Sequence, residues 1–264
     1  MVISDKYKYL FVEVPHTAST AISQELCTHY DGRTILRKHA NYSEFLKQAS
    51  SEEKKYFTFA AVRNPLDAIV TDYMKLKTNK DDEYTNPDEW QINGGWIPEE
   101  HLDKFRFIHA QDPEVAFENF FRKYYSRGYT QWVLILHKKF NYVMHYESIA
   151  DEFEKVLGMI GIDPVQRLPV VNKTNRNRDF LSLYTPAIRP DAAKICGPFM
   201  KQWSYDFPEN WGDVKIPSSS LLYYNLIDSC VNTAGRFITL APKKGYIQNI
   251  KKVTYNISSK LGRN

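Results

Sequence analysis

Two kinds of apolar run alternate along the first half of the chain. Lys8-Tyr-Leu-Phe-Val-Glu-Val14 is dense in β-branched and aromatic residues, which predicts a buried strand. It runs into Pro15-His-Thr-Ala-Ser-Thr20 and then a helix-compatible stretch from Ala21 to about His29. Tyr56–Val62 repeats the arrangement. It ends in Arg63-Asn-Pro65, where Asn64 suits an N-cap and Pro65 the first turn of a helix running from about Leu66 to Leu76. A third copy is Phe140–Tyr146, with Ser148 capping a helix over 149–159. Strand-then-helix used three times predicts an α/β fold whose parallel sheet is flanked by helices, joined by right-handed crossovers.

Elsewhere the pattern changes. Between Lys77 and Pro113 no period holds, and this irregular stretch reads as an insertion. Residues 113–128 predict a helix with Phe117, Phe120, Phe121 and Tyr124 on its core side. Residues 218–240 and 246–261 show apolar positions at three-to-four spacing, which predicts two amphipathic helices. The expected organisation is an α/β domain over 1–217 and a helical C-terminal extension over 218–264.

Composition narrows the class. With 43% hydrophobic and 14% aromatic residues the chain is globular, which excludes disorder and collagen as overall descriptions. Cys27, Cys196 and Cys230 form no CxxC pair, so neither a disulfide framework nor a cysteine metal site is expected. The absence of a long apolar run and of a signal-like start sets the expectation of a cytoplasmic protein. The net charge of +4 is uneven, because the stretch from Ser229 onward holds seven basic residues and no acidic one. That tail suggests contact with an anionic membrane surface or another subunit, with a solvated helix face as the plain alternative. Basic residues elsewhere are outnumbered by acids, so no nucleic-acid partner is expected.

The chemistry gathers at the turns. A strand feeding a short loop of small and hydroxylated residues, then a helix, aims backbone N–H groups and a helix dipole at one spot, where a phosphate or sulfate binds. GxxxxGK[ST] is absent, so this is not the nucleoside-triphosphate P-loop. After the second strand, Arg63 and, eight residues on, Thr71 supply a charge and a directional donor for another anion. A plain Arg63–Asp67 pair is the alternative. Ligands of open α/β sheets bind at the carboxyl ends of strands, where both turns lie.

Val14-Pro-His-Thr-Ala-Ser-Thr20 resembles the 5′-phosphosulfate loop of sulfotransferases, P-K-T-[GA]-[GS]-T, and Arg63–Tyr73 resembles their 3′-phosphate motif, R-[ND]-P-x-x-R-x-x-S-x-Y. Within that family the pattern is most similar to the Golgi-type carbohydrate branch, particularly the uronyl 2-O-sulfotransferases, and the likeness extends to Lys38–Phe45, Tyr142–Glu147 and Leu168–Arg176. The resemblance implies a P-loop-like fold and 3′-phosphoadenosine-5′-phosphosulfate (PAPS) as co-substrate, with no metal and a hydroxyl acceptor, best matched by a glycan. It implies that Pro15, His16, Thr17, Ala18, Ser19, Thr20 and Ala21 hold the 5′ end and that Arg63 and Thr71 hold the 3′-phosphate. Lys173 and Arg176 would close over the nucleotide, and His39 would be the base. His16 stands where the family has a lysine. Phosphates beside it would raise its pKa, so activity is expected to fall as pH rises through neutrality and His16→Lys to flatten that profile. Trp90, Trp96, His101 and His109 in the insertion are candidates for the acceptor surface. Open alternatives are a kinase on the same scaffold, and a nucleotide-binding or membrane-peripheral module without activity.

Overall fold

A computed structural model describes residues 1–79, 82, 84–85, 102–126, 128–134, 136–169 and 179–234. Five strands form one sheet: β1 (Val2–Ser4), β2 (Tyr9–Val12), β3 (Arg33–Thr34), β4 (Phe57–Val62) and β5 (Tyr142–His145), in the order β3-β1-β2-β4-β5. β2, β4 and β5 are the three expected strands, and they pair in parallel. β1 and β3 add antiparallel pairing on the far edge, so the sheet is mixed.

Alternation along the strands explains the layers. Leu10, Val12, Ala60 and Val62 face one core with Ile3, while Tyr9, Phe11, Phe59 and Ala61 face the other with Val2. Both faces are covered, which is why these strands read as continuous apolar runs. The second core is closed by α1 (Ser19–His29) through Ile22 and Leu26, and by Ile149–Met159 through Phe153, Val156 and Leu157. The first core receives α3 (Pro65–Thr78), preceded in the chain by the short α2 (Tyr42–Gln48). Asn64 does cap α3, its side chain accepting from the Leu66 amide at 2.9 Å.

The segment expected to be irregular contains a helix, α4 (Leu102–Gln111), so that part of the expectation is corrected. Residues 86–101 lie outside the described residues. The helix expected over 113–128 is shorter, α5 (Phe117–Tyr125), and buries Phe117, Phe120 and Phe121 as expected. After α6 (Ile149–Met159) comes an unexpected helix, α7 (Arg189–Gln202), which buries Ile195, Cys196, Phe199 and Met200 despite Pro198 within it. α8 (Ser218–Ala234) packs against the first core through Tyr224 and Val231 and leaves Leu222 and Leu226 exposed. The expected helix over 246–261 lies outside the described residues. Among the described residues, no helix is long and apolar enough to cross a membrane.

Candidate functional site

Two turns leave neighbouring parallel strands at their carboxyl ends, the first after β2 and the second after β4. The first turn is tight. His16 (φ 65°) and Ala18 (φ 58°) both take the left-handed conformation that L-residues adopt at a cost of about 1 kcal/mol each. Thr17 is buried and donates its hydroxyl to the Val14 carbonyl at 2.9 Å, which holds the turn shut. α1 then begins at Ser19, and no side chain caps it. Its first amides therefore point out of the turn beside the positive end of the helix, the donor set an anion needs. Pro15 and Thr20 are half-buried, and Ser19 and Ala21 are buried under the first helical turn.

Arg63 extends from the end of β4 back to this turn. Its Nη1 donates to the His16 carbonyl at 3.0 Å and its Nε to Asp67 at 2.8 Å, while the Tyr146 ring lies 4.1 Å from the guanidinium carbon. The Arg63–Asp67 pair weighed in the sequence is present, and it coexists with the contact to the first turn. Thr71, one helical turn beyond Asp67, is buried and donates to the Asp67 carbonyl at 2.8 Å. To donate to a bound anion that hydroxyl must turn away from the helix backbone. Ala68 fills the place of the motif's second arginine and is buried. From the other side Glu147 accepts the Asn64 amide at 2.8 Å and the Tyr205 hydroxyl at 2.7 Å, fastening the end of β5 to the second turn.

The connector between β3 and α2 reaches the same turn. His39 Nδ1 is 2.9 Å from the Glu13 carbonyl. A carbonyl only accepts, so Nδ1 carries the hydrogen in the neutral ring and Nε2 keeps its lone pair. Burial lowers the His39 pKa to about 4, against the partial support of the Glu13 contact. The ring is neutral throughout the ordinary pH range, with Nε2 unprotonated. Next to it, Lys38 Nζ donates to Thr20 Oγ1 at 3.0 Å.

His16 lies where Arg63 meets the first turn. Its half-buried ring has a pKa lowered to about 4, chiefly by burial, with Lys75 and Arg63 adding to the shift and Asp72 opposing it. In the nucleotide-free protein the ring is uncharged at neutral pH. The expected titration through neutrality concerns a ring beside bound phosphates, whose charge would raise the pKa from this starting value. Asp72 is itself held by Arg106 and by the Tyr125 hydroxyl, the latter at 2.6 Å. Sequence reasoning missed this half-buried group, because its three members lie on α3, α4 and α5 and carry no local signature.

Of the acceptor candidates, His109 is on α4 against Phe120 and Tyr124, with ring centroids 6.5 and 5.5 Å away. It lines a groove of about 700 Å³ together with Phe105, Ile108 and Lys123. Trp90, Trp96, His101, Lys173 and Arg176 lie outside the described residues. Among the described residues no group of three or more His, Cys, Asp or Glu could hold a metal ion.

A family model described as "Sulfotransferase family" matches residues 1–196. No curated protein and no solved structure matches the chain.

Proposed function

The chain belongs to the sulfotransferase family, and from that premise we propose that it moves a sulfuryl group from PAPS to a hydroxyl of a carbohydrate, with the uronyl 2-O branch as the nearest pattern. The observation that carries the reading is the hydrogen bond from Arg63 to the His16 carbonyl, which makes two anion-competent turns into one continuous cradle. The residues present fit a nucleotide phosphorylated at both ends. The uncapped start of α1 offers backbone donors for the 5′ side, and Arg63 with Thr71 offers charge and hydroxyl for the 3′ side. Lys173 and Arg176 are assigned to the closing loop on the motif alone.

The donor, when bound, supplies an activated sulfuryl group on a phosphate leaving group. His39 then has the role its tautomer permits. Its Nε2 accepts the proton of the acceptor hydroxyl as that oxygen forms the new bond to sulfur, and the electron pair of the broken bond stays on the phosphate oxygen. The amides at the start of α1 stabilise the charge that collects there. The groove beside His109, with its exposed apolar rim, is proposed as part of the acceptor surface, and Trp90, Trp96 and His101 are assigned to acceptor binding on the sequence alone.

The test is thermal melting with 3′,5′-ADP, with AMP and Mg-ATP as controls, followed by transfer assays on uronic-acid glycans. At a hundredfold excess over Kd the bisphosphate adds about 2.7 kcal/mol to stability and raises the midpoint. His39→Ala is expected to abolish transfer and to leave that stabilisation intact. Equal stabilisation by AMP, or stabilisation by Mg-ATP alone, refutes the donor assignment.

A further inference from the structure

The first turn, residues 15–18, contains no lysine or arginine. A departing phosphate gains negative charge, and a cation beside it lowers the barrier. His16 cannot provide one in the free protein, since burial holds its pKa near 4. Arg63 meets the turn at the His16 carbonyl while its other nitrogens hold Asp67, so its charge is directed to the second turn.

Lys38 reaches the opposite end. It precedes His39 in the connector between β3 and α2, its side chain is exposed to solvent, and its ammonium is 3.0 Å from Thr20 Oγ1. Thr20 lies in the first turn of α1, among the amides proposed to hold the 5′-phosphate. Because Thr20 Oγ1 accepts from Lys38, its own hydrogen remains to donate outward, and the ammonium strengthens that donor. Lys38 has two further N–H groups to offer an anion at the same place.

We propose that Lys38 is a catalytic residue of this chain, supplying positive charge to the 5′-phosphate side of the cradle. The assignment rests on the nucleotide reading above. It predicts that Lys38 and Thr20 act as one unit on the 5′ end, and that the 3′ end does not sense Lys38.

The test compares two probes that differ only in the 5′-phosphate, 3′,5′-ADP and 3′-AMP, by titration calorimetry on the full chain. Wild type is expected to prefer 3′,5′-ADP. Lys38→Ala is expected to shrink that preference about tenfold, the effect of one charge-assisted hydrogen bond, with 3′-AMP binding unchanged. Lys38→Arg is expected to restore most of it. Since the side chain is exposed, an unaltered melting temperature serves as the folding control. Equal weakening of both probes, or no weakening of either, overturns the assignment while the nucleotide reading survives. Failure of wild type to bind either probe removes the nucleotide reading and this assignment with it.

Discussion

Acidification should unfold this protein through two particular rings. His16 and His39 each have a folded-state pKa of about 4, whereas an unfolded histidine titrates near 6.5. Between those values the unfolded chain binds more protons than the folded one, so stability rises with pH and is lost as pH falls from about 6.5 toward 4. Worked through for a change from pH 7 to pH 5, each ring removes about 2 kcal/mol, and the pair about 4 kcal/mol. That is a large share of a typical domain's stability of roughly 5–15 kcal/mol. Glu13, whose carboxylate is favoured by the N-terminal ammonium and Ser23, adds its own loss at still lower pH, outside this window. The assay is urea unfolding at pH 7 and pH 5 for wild type, His16→Asn, His39→Asn and the double variant. Asparagine is chosen because both positions have positive φ, which it tolerates. Each single variant should lose about half the pH dependence and the double variant nearly all of it, at constant m. A wild-type stability that is flat between the two pH values refutes the reasoning. So does a double variant as acid-sensitive as wild type.

Two other substitutions test the cradle and the frame that carries it. Arg63→Lys keeps the charge but loses the planar fork that spans Asp67 and the His16 carbonyl, so 3′,5′-ADP affinity should fall about tenfold or more, and unchanged affinity in calorimetry would exclude Arg63 from the phosphate site. At Gly32 an added Cβ would come within 2.7 Å of the Leu26 carbonyl oxygen and of Val2 Cγ1; Gly32→Ala should therefore destabilise by about 1–3 kcal/mol, seen as a lower urea midpoint, with nucleotide binding otherwise preserved.

What could be read in the sequence follows from how the cores are built. β2 and β4 were legible because both of their faces are buried and leave unbroken apolar runs, and the half-buried edge strand β5 because its residues are aromatic or β-branched around buried Met144. β1 and β3 have three and two residues, too few for any period to show, and their antiparallel pairing had no local signal. α7 was hidden by Gly197 and Pro198, both helix breakers in isolation. There Pro198 is buried, and Gly197 leaves room for Ile216, which would meet an added Cβ at 2.7 Å. At the site, the two turns were legible since each is a short contiguous segment. The Asp72–Arg106–Tyr125 group, the bond between Lys38 and Thr20, and the tautomer of His39 depend on contacts between distant segments or on ring orientation. Composition and spacing carry no trace of those.

Ala18 and His16 hold left-handed backbone without the freedom of glycine. For laboratory evolution this creates a conflict of directions. Ala18→Gly relieves about 1 kcal/mol of strain, partly offset by the greater entropy of the unfolded chain, so a screen for heat resistance alone would tend to enrich it. The same change loosens the loop proposed to grip the donor. A library scored for survival at high temperature and, separately, for turnover would thus pull this one short loop toward two different sequences.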